Sequence, residues 1–173
     1  MKQVPLSREQ VATVDDCDFE WLSEFKWCAL WKTNTQSFYA VRHIPTGPDH
    51  PKRQLLSMHN AIWEHHNGPI PDGLTIDHID RTSLNNRQSN LRIATHSQQK
   101  QNQRLRSTNT SGYRGVHWDK SSGRWRSQIK IDGKQIWLGH FTDPADAARA
   151  FDVAALQRDP TFAQLNFPIR WAS

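Results

Sequence analysis

Residues 124–131, RWRSQIKI, alternate strictly in character and run straight into Asp132-Gly133 and a second strand-like run, KQIWLGH. A period of two puts Trp125, Ser127, Ile129 and Ile131 on one face of a strand and Arg124, Arg126, Gln128 and Lys130 on the other. Asp-Gly is a strong signal for a two-residue hairpin, because its turn needs positive φ at both central positions. YRGVHW, joined through SSG, reads as a further strand. The C-terminal part is thus predicted to be a three-stranded antiparallel sheet with one face for packing and one for phosphate.

Past the sheet the pattern turns helical. In TDPADAARAFDVAAL, Asp143 is the expected N-cap, Pro144 fits the first helical position, and Asp146 favours the positive helix end. Ala147, Ala148, Ala154 and Ala155 with Phe151 allow close packing on the sheet. SGYRGV, the central RW, WLG-F, AARAFDVAAL and LNFP together resemble the plant ethylene-response-factor DNA-binding domain of the APETALA class, over about residues 111–168. The resemblance implies that the sheet face enters the major groove of duplex DNA. Arg114, Gly115, Trp125 and Trp137 match the family pattern, and Lys130 replaces an Arg. His117 stands where an Arg usually reads DNA, and Gln128, Gln135 and His140 replace other contact residues, so the family's usual target sequence does not transfer. Alternation assigns Trp125 to the core and Trp137 to the DNA side.

The densest chemistry lies upstream, in LTIDHIDRTSLNNRQSNLRIATHSQQK, Leu74 to Lys100. Hydrolysing a phosphodiester needs a divalent cation to neutralise charge and a base to draw a proton from water. Asp77 is the natural oxygen ligand for a hard metal, and His78 the natural base near neutral pH. Alternation sends adjacent strand residues to opposite faces, so one of the pair must sit at a strand end or bulge to share a site. Asn85, Asn86 and Asn90 suit a loop that folds back. Leu91 to Ala94 can return as a second strand, and Thr95 fits the N-cap of a helix carrying His96, Gln99 and Lys100.

DHID, NN, SNLR and ATHSQQ, with MHN upstream, resemble the HNH nuclease ββα-metal fold of phage and intron homing endonucleases, over roughly residues 55–103. That resemblance implies Asp77 as metal ligand, His78 as general base and Asn90 as the brace of the loop that orients the base. The family's helix ligand, commonly Asn or His, falls on Gln99, which leaves the second protein ligand open between Gln99 and His96. His59 aligns with a family His before a helix, either touching phosphate or structural.

Charge supports a polyanionic partner. The net charge is +5, and residues 95–135 hold nine Lys or Arg against two Asp, a net of +7 that leaves −2 for the rest. Arg104 and Arg106 in that region extend the expected DNA contacts of Arg114, Gly115, His117, Arg124, Arg126, Gln128, Lys130 and Trp137. RNA binding is disfavoured, since no exposed aromatic pair of the RNP kind is apparent. Cys17 and Cys28 lack a Cys-x-x-Cys spacing, so free thiols are expected rather than a zinc or disulfide framework. No apolar run is of membrane-spanning length, and MKQVPLSREQ has no signal-type stretch, so an intracellular protein of a bacterial or phage-infected cell is expected, not a secreted one.

Residues 1–58 read as an α+β region: strands and a turn in VPLSREQVATVDD, a short helix through Trp21, Leu22 and Phe25, then strands at Trp27 to Trp31 and in SFYAVRH, with the aromatics assigned to the core. Pro45 to Pro51 reads as a loop, followed by Lys52 and Arg53, which either reach phosphate or are exposed basic residues with no specific role. A helix is expected over Leu55 to His65, with His65 and His66 exposed at its end. The expected whole is α+β: an HNH nuclease domain at 1–104 with its ββα-metal core at 74–103, a basic linker at 105–110, and the ethylene-response-factor-type domain at 111–168. The function expected is a Mg²⁺-dependent (or Mn²⁺-dependent) endonuclease on double-stranded DNA, monomer or homodimer, with a non-cleaving DNA-binding regulator as the competing reading.

Overall fold

A computed structural model describes residues 1–45, 53–103, 105 and 108–168. Arg104, Arg106, Lys52, the expected loop beyond Pro45 and the Arg53 side chain lie outside the described residues. The chain divides into two compact units, Met1–Gln99 and Lys100–Ser173.

In the first unit, β1 (Lys2–Pro5) pairs antiparallel with β2 (Val11–Val14). After α1 (Asp16–Ser23), β3 (Cys28–Lys32), β4 (Ser37–Pro45) and β5 (Arg53–Ser57) form an antiparallel meander, followed by α2 (Met58–Asn67). β6 (Leu74–His78) and β7 (Leu91–Thr95) make a hairpin around the loop 79–90, and α3 begins at His96 and ends at Asn102. Thr95 and Gln98 form a capping box at its start: the Gln98 amide donates to Thr95 Oγ1 at 3.2 Å, and the Thr95 amide donates to Gln98 Oε1 at 2.9 Å. One core ties these elements together, with Val4, Val14, Leu22, Trp27, Met58, Ile62, Ile76 and Leu91 buried in it.

Two expectations for this unit are corrected. Leu55 and Leu56 belong to β5, opposite His43 and Arg42, and the helix starts only at Met58. A short apolar run fits either period, and β4 offers an edge that the run extends. Of the N-terminal aromatics and leucines, Trp27 and Leu22 are core, but Phe25, Leu30 and Trp31 are exposed. Arg42 lies over the Phe25 ring, and Trp31 packs edge-on against Phe38. His65 and His66 are exposed, as expected, yet each has a partner: His65 stacks on Trp21, and His66 Nε2 lies 2.6 Å from Asp18 Oδ1.

The second unit is an α+β fold: β8 (Val116–Asp119), β9 (Arg124–Ile131) and β10 (Lys134–Phe141) in the order β10-β9-β8, plus α4 (Pro144–Arg158). Asp132 (φ 48°) and Gly133 (φ 79°) close the β9–β10 hairpin with both residues left-handed. Asp143 caps α4 through a 2.7 Å bond from the Ala145 amide, with Pro144 behind it. Ala147, Ala148 and Ala155 are fully buried, so the helix approaches the sheet closely over Val116 and Ile129. Burying a side chain the size of Ile129 stabilises by about 1.5–3 kcal/mol. Gly115 marks the tightest point: at φ +75°, a Cβ there would lie 2.0 Å from Phe151 Cδ2 and 2.8 Å from the Gln128 carbonyl oxygen. Buried Asp152 holds the LNFP segment by accepting from the Asn166 amide at 2.8 Å and the Phe167 amide at 2.9 Å.

Candidate functional site

The loop 79–90 is built on polar side chains. Asn90 Oδ1 accepts from the Asp80 amide at 3.0 Å, while its Nδ2 donates to Asp80 Oδ1 at 2.9 Å and to the Asn85 carbonyl at 2.7 Å. Asp80 is partly buried, which alone would raise its pKa, but bonds from Asn85, Thr82 and Asn90 outweigh this and hold its carboxyl below the ordinary value. β2 grips the loop from outside: the Thr13 amide donates to the Leu84 carbonyl and the Asn86 amide to the Thr13 carbonyl, both at 2.8 Å. Ser83 Oγ adds a 2.6 Å bond to the Phe38 carbonyl.

His78 ends β6 facing into this scaffold and is 6 % exposed. Its Nε2 lies 3.2 Å from Asn86 Oδ1, in a buried bond. An amide oxygen only accepts, so the imidazole carries its proton at Nε2 and its basic lone pair at Nδ1. The ring meets His59 edge-on at 5.0 Å between centroids, with Tyr39 at 6.3 Å. Burial lowers the His78 pKa below 6.5 against the opposing pull of Asn86, Asp77 and Asp80, so the imidazole is neutral at neutral pH. His59, on the first turn of α2, is pushed further down by burial, then by His78 and Lys32, and its Nδ1 is buried with no hydrogen-bond partner among the described residues.

Asp77 has a different set of partners. It sits opposite Arg92 in an unbroken register, and Arg92 Nε and Nη2 reach its Oδ2 at 3.1 and 3.0 Å. No bulge turns Asp77 toward His78, and it is His78 that occupies the strand end. Gln99 donates from Nε2 to the Ile76 carbonyl at 3.2 Å, which docks the first part of α3 on β6 next to Asp77. His96 is exposed at the first position of α3. A carboxylate on β6 and an amide on α3 are hard oxygen donors of the kind Mg²⁺ takes, and this donor set fits such an ion. Asn86 and Asp80 gain a place at this site that sequence reasoning did not give them, the Asn85-Asn86 pair being the available signal, and His59, left open between phosphate contact and structure, lies against His78.

On the second unit, Arg124, Arg126, Gln128 and Lys130 share one face of β9. His117 and His140 flank Arg126 from the two neighbouring strands, making one row across the sheet. His140 Nε2 lies 2.9 Å from Asp119 Oδ2. The β10 register shifts between Trp137 and Gly139, so Trp137 stays opposite Gln128, on the basic face, and is 59 % exposed. Trp125 faces the packing side, against Val116 and Ala147. Trp118, 45 % exposed and edge-on to Trp125, is a further exposed aromatic that sequence reasoning left unassigned. Arg114 and Gly115 lie just before β8: the Arg114 amide donates to Asn166 Oδ1 at 2.7 Å, and its guanidinium to the Gln103 carbonyl at 2.7 Å.

Comparison with known proteins gives two family matches in the order the motifs had indicated. Residues 57–101 match the family described as HNH endonuclease, and residues 111–159 match the AP2 domain. Protein 3.8 of Escherichia phage T7 is 43 % identical over 77 residues, 44 % of this chain and 64 % of its own length. The ethylene-responsive transcription factor ERF024 of Arabidopsis thaliana is 50 % identical over 58 residues, 32 % of each chain. The AP2-like ethylene-responsive transcription factor TOE2 of the same plant is 45 % identical over 60 residues, 35 % of this chain and 12 % of its own. This chain therefore covers less than two thirds of each of these relatives. It carries an HNH-type segment followed by an AP2-type DNA-binding segment, and no helix among the described residues is long and apolar enough to cross a membrane.

Proposed function

We propose that the protein is a metal-dependent endonuclease that hydrolyses phosphodiester bonds in duplex DNA, acting inside the cell that holds the DNA, with the AP2-type sheet binding the duplex. The observation that carries this reading is the buried His78, its Nε2 3.2 Å from Asn86 Oδ1 at the end of an HNH-type hairpin. His78 takes the proton from the attacking water at Nδ1, while Asn86 keeps the ring in that tautomer. Asn90 holds the loop on which Asn86 stands. Asp77, with Gln99 or His96, would hold the divalent cation, which when bound neutralises charge on the scissile phosphate and leaving oxygen. Lys130, Arg126, Arg124 and Arg114 neutralise backbone phosphates, and Trp137, Gln128 and His117 face the bases. Gly115 serves this surface by letting β8 and α4 close together.

The test is an end-labelled duplex incubated with Mg²⁺ or with chelator: cleavage with the metal and none without it supports the reading. One such site per protomer cuts one strand, so nicks are expected from a monomer and breaks from a dimer. The Asp77–Arg92 ion pair favours a second reading, in which that carboxylate is structural and the protein binds DNA without cutting it. A chain that shifts duplex DNA but leaves every bound substrate intact with Mg²⁺ or Mn²⁺ fits that reading instead.

A further inference from the structure

The loop 79–90 also carries Gln88, whose side chain ends among three groups that each offer a lone pair. Gln88 Nε2 lies 3.0 Å from His66 Nε2, 3.1 Å from Asp18 Oδ2 and 3.6 Å from Cys17 Sγ, while His66 Nε2 is 2.6 Å from Asp18 Oδ1. Asp18 is fully buried, and Cys17 and His66 open to solvent. With Asp18 ionised, the group crowds its polar side chains around the buried carboxylate. If His66 Nε2 carries a proton toward Asp18, the Gln88 amide hydrogens go to Asp18 Oδ2 and Cys17 Sγ, and the two nitrogens are left in contact at 3.0 Å with no hydrogen bond between them. If that nitrogen is unprotonated, its lone pair faces a carboxylate oxygen at 2.6 Å. Turning the amide over sets Gln88 Oε1 against Asp18 Oδ2, acceptor to acceptor.

A cation engages all four groups and relieves the nitrogen-to-nitrogen contact, because thiolate, carboxylate, imidazole and amide oxygen can all donate to it. One ligand atom each from Cys17, Asp18 and His66 already lies within 4.8 Å of the others. A tetrahedral ion holds its ligands about 3–4 Å apart, so small side-chain rotations suffice. We propose that Cys17, Asp18 and His66, completed by Gln88, form a Zn²⁺ site that fastens the loop 79–90 to α1 and to the end of α2. Thiolate plus imidazole selects zinc over Mg²⁺, which separates this site in kind from the hard-oxygen donors at Asp77. On binding, the Cys17 thiol releases its proton to solvent and the thiolate ligates. No Cys-x-x-Cys spacing announces the site, since its residues come from three distant segments. It stands whether or not the protein cuts DNA.

The experiment uses the full chain stripped with chelator and titrated with Co²⁺, then Zn²⁺. One equivalent of Co²⁺ is expected to give a thiolate-to-cobalt charge-transfer band in the near ultraviolet, removed by one equivalent of Zn²⁺. Cys17→Ser and His66→Asn, both at partly open positions, should lose the band with unchanged far-ultraviolet circular dichroism, and Cys28→Ser should keep it. Zn²⁺ should also raise the thermal midpoint of wild type but not of Cys17→Ser. Absence of the band, its survival in Cys17→Ser, or its loss in Cys28→Ser overturns the proposal.

Discussion

His78 Nε2 and Asn86 Oδ1 lie 3.2 Å apart in a buried bond that spans the hairpin loop and fixes which imidazole nitrogen is basic. Removing the amide leaves an N–H buried without its acceptor and the ring without its tautomer lock. Asn86→Ala should lose about 1–3 kcal/mol of stability. It should also lower cleavage by tenfold or more under conditions where it remains folded, checked by denaturant unfolding and single-turnover cleavage. Equal cleavage in the variant would detach Asn86 from the base.

Gly115 against Phe151 makes a second prediction, on the other unit. Gly115→Ala combines a left-handed φ with a Cβ driven into an aromatic ring. The cost should be about 2–4 kcal/mol, from backbone strain and overpacking together. Phe151→Leu in the same chain should recover part of it, because it removes the ring atoms that clash. Thermal melts of the single and double variants decide this; a Gly115→Ala protein as stable as wild type would contradict the packing described.

His59 sets a pH dependence. The unfolded chain takes up a proton there near the ordinary 6.5, while the folded chain does so only well below it, because the ring is buried and faces His78, Lys32 and the Tyr39 ring. Below 6.5 the unfolded state therefore binds more protons, so His59's contribution is fully present above that pH and falls away as the solution becomes more acidic. Denaturant midpoints measured in chelator from pH 7.5 down should decline, and His59→Gln should decline less steeply, since it cannot charge. Parallel curves would show that His59 is not the cause.

The basic face of β9 gives a salt dependence. Arg126→Ala and Lys130→Ala should each weaken duplex binding and reduce the slope of log affinity against log salt by about one unit per lost phosphate contact. Mobility shifts at several salt concentrations measure this, and unchanged slopes would place the DNA elsewhere.

Much of the scaffold was legible because local patterns matched tertiary needs. The alternation of Arg124 to Ile131, Asp132-Gly133 and the Asp143 cap each specify their structure over a few residues, as do Leu74–His78, Leu91–Thr95 and the Thr95 cap. Leu55 and Leu56 were misread as helical, because two leucines before a helix do not declare a period and β4 decided the matter. The pairings that define the candidate site were harder still. His78 with Asn86, Asp77 with Arg92 and His66 with Asp18 join residues that only the closed loop, the strand register or the packed helices bring together. Nothing local in DHID tells that the carboxylate meets an arginine fifteen residues on while the imidazole meets an amide.

The most direct measurement compares wild type with His78→Ala on supercoiled plasmid in Mg²⁺. Wild type should nick the plasmid, and the variant should be slower by about 10²–10⁴-fold, the usual worth of a general base, with its mobility shift on duplex DNA largely kept. Nicking at equal rates by both proteins, or binding by both with no nicking at all, would contradict catalysis at His78.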